Sequence, residues 1–210
     1  MLSVVTGASR GIGAALASRL PGDVIGTSTR GGGGLVALDL ISPDFDALLA
    51  AVDGRPVDVL VCNAGIFSDR HEGLDGGYPA AMWAEEMAVN VTGVFLTVQA
   101  LLPALRSAGG KVAVISSQMG SSEKASGGSL IYRASKAASA NLARNLAADL
   151  AGDGIAVAAY HPGWVRTEMG GASAAISPEE SADGLAERIE ALSLRTTGAF
   201  ETWDGRPHPF

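Results

Sequence analysis

Short, almost wholly apolar runs punctuate the chain, and between them lie longer stretches in which apolar residues recur every three or four positions. The runs are LSVVT (2–6), DVIGTST (23–29), LVALDL (35–40), VDVLVCN (57–63), KVAVISS (111–117), IAVAAYH (155–161) and GAFETW (198–203). Most are continuous rather than alternating, the pattern of strands covered on both faces of a parallel sheet. The stretches 12–20, 43–52, 79–107, 131–151 and 178–192 read as helices. The last opens with Ser177 and Pro178, then Glu179 and Glu180: a cap, a proline at the first helical position and acids in the first turn. This alternation predicts an α/β fold, a doubly wound parallel sheet of about seven strands with helices on both faces, in a single domain over 1–210. GGGG at 31–34 reads as a connection within that domain.

Composition narrows the class. Hydrophobic residues at 47% against 18% charged describe a globular chain. A net charge of -7 argues against nonspecific nucleic-acid binding. The single cysteine, Cys62, excludes an intrachain disulfide, fits a reducing compartment and reads as a core residue. The opening MLSVVTGAS is too short an apolar run for a signal peptide, and no uninterrupted apolar stretch suggests a membrane span. The expectation is a soluble cytoplasmic protein with no nucleic-acid or membrane partner.

The first run ends in TGASRGIG (6–13), and a helical stretch follows at once. Glycines at 7, 11 and 13 allow a tight turn and let the backbone approach a pyrophosphate seated on a helix N-terminus. This makes the predicted sheet Rossmann-type, with Gly7, Ser9, Arg10, Gly11, Ile12 and Gly13 as candidate dinucleotide-binding residues. An NAD site commonly places a carboxylate at the end of the second strand, whereas NADP needs a cation. Here that strand ends in TSTR, with Arg30 and no acid, and Arg10 lies inside the glycine loop. The planar fork of arginine suits a 2′-phosphate. The pair favours NADP(H) over NAD(H). Asp39 and Leu40 close the third run and are candidates for the adenine edge; the plainer role of Asp39 is to cap the next segment.

"SLIYRASKAAS" (129–139) places Tyr132 and Lys136 four positions apart, on one face of the predicted helix. An ordinary tyrosine has a pKa of about 10. A lysine charge about 4 Å away, at an effective dielectric of about 20, would favour the phenolate by about 4 kcal/mol. A tyrosine tuned in this way can exchange a proton with a substrate near neutral pH. Alone, the pair is equally two polar residues on a helix.

Several motifs then fall into one order: T-G-x-x-x-G-x-G at 6–13, N-A-G at 63–65, Asn90 within MAVNVTGVF, I-S-S at 115–117, Y-x-x-x-K at 132–136 and P-G at 162–163. Over essentially its whole length the chain resembles the short-chain dehydrogenase/reductase family. ISSQMGS, YRASKAA and the closing WDGRPHPF are similar to its C-factor-like and Sniffer-like carbonyl reductase branch. The motifs also lie at carboxyl ends of predicted strands, where open α/β sheets bind ligands.

The resemblance implies an oxidoreductase that moves a hydride between a nicotinamide and a carbonyl or alcohol. Tyr132 would be the general acid in reduction and the base in oxidation. Lys136 would depress its pKa and bond the nicotinamide ribose, Ser117 would stabilise the alkoxide, and Asn90 would hold a water linking Lys136 to solvent. Hydride comes from the cofactor; the protein supplies position and electrostatics. Asn63, Ala64 and Gly65 would shape the adenosine side, Pro162, Gly163 and Val165 would pass the nicotinamide amide, and Thr167 would contact phosphate. A short small-residue lid after Thr167 predicts an open pocket lined by Met119, Trp164 and Met169. Homo-oligomerisation through 79–107 and 131–151 is a family expectation.

Ser117 and Tyr132 are 15 positions apart, farther than usual in the family, whose spacing would fall on Met119. An expansion of the polar loop 120–130 accounts for the offset, with Ser116 as the alternative to Ser117. A catalytically silent NADP-binding sensor or signalling protein on the same fold is the alternative function. Such a protein would be expected to lack the tyrosine or the lysine. A nucleotide-sugar epimerase fits poorly, since those enzymes usually carry T-G-x-x-G-x-x-G. His71, His161 and His208 are assigned no catalytic role, and no group of side chains has metal-ligand spacing.

Overall fold

The computed structural model describes residues 1–210. Strands β1 (Leu2–Val5), β2 (Asp23–Ser28), β3 (Val36–Ala37), β4 (Val59–Cys62), β5 (Lys111–Ile115), β6 (Ala156–His161) and β7 (Phe200–Thr202) form one parallel sheet in the order β3-β2-β1-β4-β5-β6-β7. Helices α1 (Gly11–Ala17), α2 (Asp46–Val52), α3 (Ala80–Met87), α4 (Gly93–Ala108), α5 (Leu130–Leu150) and α6 (Pro178–Ala191) connect them. The doubly wound expectation therefore holds.

Each central strand feeds two cores because successive side chains point to opposite faces. Val112 and Val114 of β5 join the larger cluster, with Leu101 and Leu105 of α4 and Ala143 of α5. Ala113 and Ile115 join the other, with Leu16 of α1 and Leu185 and Ile189 of α6. The small residues of β6, Ala156, Ala158 and Ala159, let helices lie close on both sides.

Three details depart from the sequence expectation or refine it. The third run pairs over only two residues, because β3 is an edge strand whose chain then turns at Asp39, with the Asp39 carboxylate accepting from the Ile41 amide at 3.0 Å. The stretch 79–107 is continuous but not uniform: a π-helical turn, Ala88–Thr92, joins α3 to α4 and carries Asn90. Such turns recur at functional sites. The span Ala80–Ala108 is long and apolar enough to cross a membrane by length and composition, yet Val94, Val98, Leu101 and Leu105 pack it onto the sheet. At α6 the Ser177 side chain accepts from the Glu180 amide at 3.1 Å, the cap that its sequence predicts.

The last residues fold back over the end of β6. The His208 amide donates to the Phe200 carbonyl at 2.8 Å, and the Phe210 carbonyl accepts from the Ser122 amide at 3.0 Å. The rings of His161 and His208 meet edge to face with centroids 5.6 Å apart, and both residues are buried. Burial, followed by the neighbouring His208 and Lys124, pushes the His161 pKa down to about 4. Folding thus favours the neutral ring, so the stability it protects is present above the unfolded value of about 6.5 and is lost as pH falls toward 4. Acidification across that window is expected to cost on the order of 3 kcal/mol through this residue. Urea unfolding of wild type and His161→Leu at steps between pH 7 and 4 tests this. The variant should show a flatter acid limb, and equal slopes would refute the assignment.

Candidate active site

The glycine loop is shaped by close approach. A Cβ at Gly13 would lie 2.2 Å from the Gly7 carbonyl oxygen and 2.4 Å from the Asn63 side-chain nitrogen, so no larger residue fits. Gly7 has φ +67 and lies against Ala64, where a Cβ would come within 2.8 Å of its Cα. The Asn63 amide group donates to the carbonyls of Thr6 and Gly7 at 3.0 and 3.1 Å, and the Thr6 hydroxyl accepts from the amides of Asn63 and Ala64, each at 3.1 Å. The loops after β1 and β4 are thus stitched into one floor. Ser9 is exposed above it, while Ile12 is half-buried against the core beneath. Thr167 arrives from the segment after β6, its methyl 3.2 Å from where a Gly11 Cβ would stand. This backbone-walled cradle at the start of α1 fits the pyrophosphate of a dinucleotide.

Beside the cradle lies the second group. Lys136 and Tyr132 occupy the start of α5, and both are buried. The Lys136 ammonium donates to the Ile115 carbonyl at the end of β5, at 2.9 Å, and lies 5.7 Å from the centre of the Tyr132 ring. Ser117 accepts from the Met119 amide at 3.2 Å, which leaves its hydroxyl proton free, and its hydroxyl interacts with the Tyr132 phenol. Ser116 faces away: its hydroxyl donates to the Lys136 carbonyl at 2.8 Å, fastening α5 to β5. Of the two serines, it is Ser117 that the fold brings to the phenol.

Electrostatics at this pair differ from the simple expectation. Burial pushes the Tyr132 pKa up to about 12, with the Ser117 hydrogen bond and the Arg70 charge opposing and Glu86 adding to the rise. Burial likewise brings Lys136 down to about 8, against the pull of Glu86. Burial therefore keeps the phenol protonated, where the expectation had Lys136 drawing it below its ordinary value. Desolvation outweighs charge here because both groups lie within the fold.

Asn90 also takes a more structural part than expected. Its carbonyl oxygen accepts from the Ile66 amide, while its nitrogen donates to the Ile66 carbonyl and the Ser135 hydroxyl, each at 2.9 Å. Both donors of the amide are taken, so the side chain clasps the loop after β4 to α5. Gly65 sits between these groups, its Cβ position 3.1 Å from the Asn90 oxygen and 3.3 Å from the Lys136 nitrogen.

The rim is looser. Arg10 pairs with Glu168 at 2.8 Å, both side chains about three-quarters exposed at 75% and 74%. Arg30 is exposed at the end of β2. Asp39 caps the backbone as described, and Leu40 is buried against Gly93, which leaves its backbone rather than its side chain for a ligand. Pro162 accepts from the buried Ser181 hydroxyl at 2.6 Å, Gly163 packs on Trp203, and Val165 bridges to Ile176. Met119 is half-buried, whereas Trp164 and Met169 stand out at 52% and 37% exposed. Cys62 lies in the core, burial raising its thiol to about 12.

Sequence reasoning missed the loop residues Phe67 and Asp69 and the helical Glu86, which surround Tyr132. Phe67 stacks on the Tyr132 ring with centroids 4.1 Å apart. One signal was available: Glu86 lies four residues before Asn90, so the two share a helix face, and an acid on an otherwise apolar inward face is anomalous.

Comparison with known proteins agrees with this geometry. The short chain dehydrogenase family profile matches residues 42–176. The C-signal protein of Myxococcus xanthus is 35% identical over 160 residues, 74% of this chain and 93% of the relative. The 1-hydroxy-2-glutathionyl-2-methyl-3-butene dehydrogenase of Rhodococcus sp. (strain AD45) is 31% identical over 96% of each chain. The NADPH-bound carbonyl reductase from chicken fatty liver superposes with a TM-score of 0.87 at 27% identity, covering 99% of this chain and 98% of that one. With a dinucleotide cradle, a tyrosine–lysine pair beside it and a profile match over most of its length, the chain belongs to the short-chain dehydrogenase family.

Proposed function

We propose that this oxidoreductase is NADP(H)-dependent and reduces carbonyl compounds to alcohols, with Tyr132 as its general acid and as the base in the reverse direction. The observation that carries the reading is the meeting of Tyr132, Ser117 and Lys136 at the carboxyl edge of the sheet, beside a cradle that only glycines permit. The loop Gly7–Gly13, the Asn63–Gly65 turn and Thr167 would hold the dinucleotide, and Arg10 and Arg30 would take the 2′-phosphate. Reduced nicotinamide supplies the hydride when bound.

The chain's own residues do the rest. Tyr132 keeps its proton at neutral pH, as a donor to the substrate oxygen must. Ser117, its oxygen occupied by the Met119 amide, directs its remaining proton toward the same oxygen and stabilises the developing alkoxide. Lys136 contributes positive charge beneath the phenol, favouring the phenolate left after proton transfer. The exposed Arg10–Glu168 pair is worth about 0–1 kcal/mol, so a phosphate displaces Glu168 at little cost. The exposure of Trp164 and Met169 supports the reading of an open substrate pocket and a tolerant enzyme.

A carbonyl panel followed by NADPH and NADH oxidation tests the assignment. Tyr132→Phe should lower kcat by about 10²–10⁴ while NADPH still binds; equal turnover by wild type and variant would remove Tyr132 from the mechanism. Replacing both Arg10 and Arg30 by alanine should cost NADPH about tenfold or more in KM and leave NADH little changed. Tighter binding of NADH than NADPH by the wild type would overturn the phosphate role.

The pH profile supplies a separate check. Lys136, lowered to about 8, is charged below that value and neutral above it. Reduction should therefore decline as pH rises through about 8. A rate constant flat up to pH 10 would exclude a role for the ammonium.

A further inference from the structure

Helix α5 carries Tyr132 at its third residue, yet its own sequence provides no cap. Ser129, at the cap position, has a left-handed φ of 47 and its side chain makes no capping hydrogen bond. The missing acceptor comes from another part of the chain. Asp69, in the loop after β4, accepts through Oδ2 from the amides of Ile131 at 2.7 Å and Tyr132 at 3.4 Å. A carboxylate there satisfies orphan helix donors and sits at the positive end of the helix dipole.

The loop is held in turn by α3. Ser68 donates to Glu86 Oε2 through its amide at 3.0 Å and also through its hydroxyl. Phe67, one residue earlier, lies flat on the Tyr132 ring, 4.1 Å between centroids. Three consecutive residues thus bind the aromatic face of Tyr132, the Glu86 carboxyl and the backbone of the α5 start. Asp69 and Glu86 are both fully buried, and each keeps one carboxyl oxygen, Oδ1 and Oε1, with no hydrogen-bond partner in the protein. Two buried acids are a costly way to fasten a loop. Their place against a reacting group gives them a use.

We propose that Asp69 and Glu86 are positioning residues for the reaction: Glu86 fixes Ser68, and the loop so fixed lets Asp69 cap α5 and hold the Tyr132 phenol in register with Ser117 and Lys136. The proposal rests on the role given to Tyr132 above. Glu86 faces Asp69, Lys136 and Tyr132; burial raises its carboxyl, Asp69 adds to the rise, and Ser68 and Lys136 oppose it. The clamp needs only oxygen acceptors at both positions, so amide side chains should sustain it.

Amide exchange followed by NMR, together with steady-state kinetics on the full-length protein, tests the clamp. Asp69→Ala should speed exchange at Ile131 and Tyr132 about tenfold or more while the middle of α5 stays protected. In the same variant kcat should fall about tenfold to a hundredfold, with NADPH binding and carbonyl KM within about twofold. Asp69→Asn retains an acceptor for both amides and should restore exchange and kcat. Glu86→Gln should likewise resemble wild type, while Glu86→Ala reproduces the Asp69→Ala pattern and carries the test should Asp69→Ala not fold. Unchanged exchange, or altered exchange with unchanged kcat, overturns the proposal, as does failure of the amide variants to restore turnover. A wild type inactive toward every carbonyl would defeat the reductase reading, whereas the exchange data would still report whether the cap exists.

Discussion

The seating of α5 on the end of β5 governs the geometry of the site. Lys136 reaches from the helix to the Ile115 carbonyl at 2.9 Å, and Ser116 reaches from the strand to the Lys136 carbonyl at 2.8 Å. Ser139, one turn later, donates to that same carbonyl at 3.0 Å. Each partner thus gives the other a side-chain bond to its backbone, in a region without solvent to compete. Ser117 follows Ser116 directly, so anchoring one serine to the helix carries the next toward the phenol. The same contact relates the helix to β4, because β4 and β5 are paired in register from Val59 with Lys111 to Cys62 with Val114. The loops that leave β4 and β5 therefore reach α5 from fixed starting points.

Within that frame, burial decides the resting charges. Side-chain proximity alone would draw a phenol and an ammonium toward phenolate and lysinium, whereas desolvation acts on each to favour its neutral form. The outcome, tyrosine near 12 and lysine near 8, leaves both protonated at neutral pH. This suits the acid role proposed for Tyr132, since a proton already lost cannot be given. The Glu86 carboxyl is a lesser influence on both, raising each value behind the larger effect of burial.

The sheet was legible in the sequence because burial on both faces leaves continuous apolar runs, and each run became a strand. The length of β3 was not legible, since an edge strand ends where its single partner and the Asp39 turn allow. The π-turn at Ala88–Thr92 was hidden because apolar spacing runs through 79–107 without a break. Tyr132 and Lys136 could be read together since a helix brings residues four apart onto one face. Asp69 could not, as it meets Tyr132 across 63 positions through a fold that local pattern does not encode. The opposite sign at the phenol has the same origin: spacing reveals which charges are neighbours, whereas their desolvation is a property of the whole fold.

A division of labour follows from where the polar groups lie. Asn90, Ser116, Lys136 and Asp69 are buried and bonded to backbone. Arg10, Glu168, Arg30 and Trp164 are exposed, and the one ion pair among them is screened by solvent. On the proposed reading, changes at the rim would alter which cofactor or carbonyl is accepted without moving the buried groups. Interior changes must instead be matched by a partner of the same hydrogen-bonding capacity, since an orphaned buried donor costs more than the bond itself contributed. On that reading selectivity is free to vary at the edge, while the chemistry is confined to a network that favours substitutions preserving its acceptors and donors.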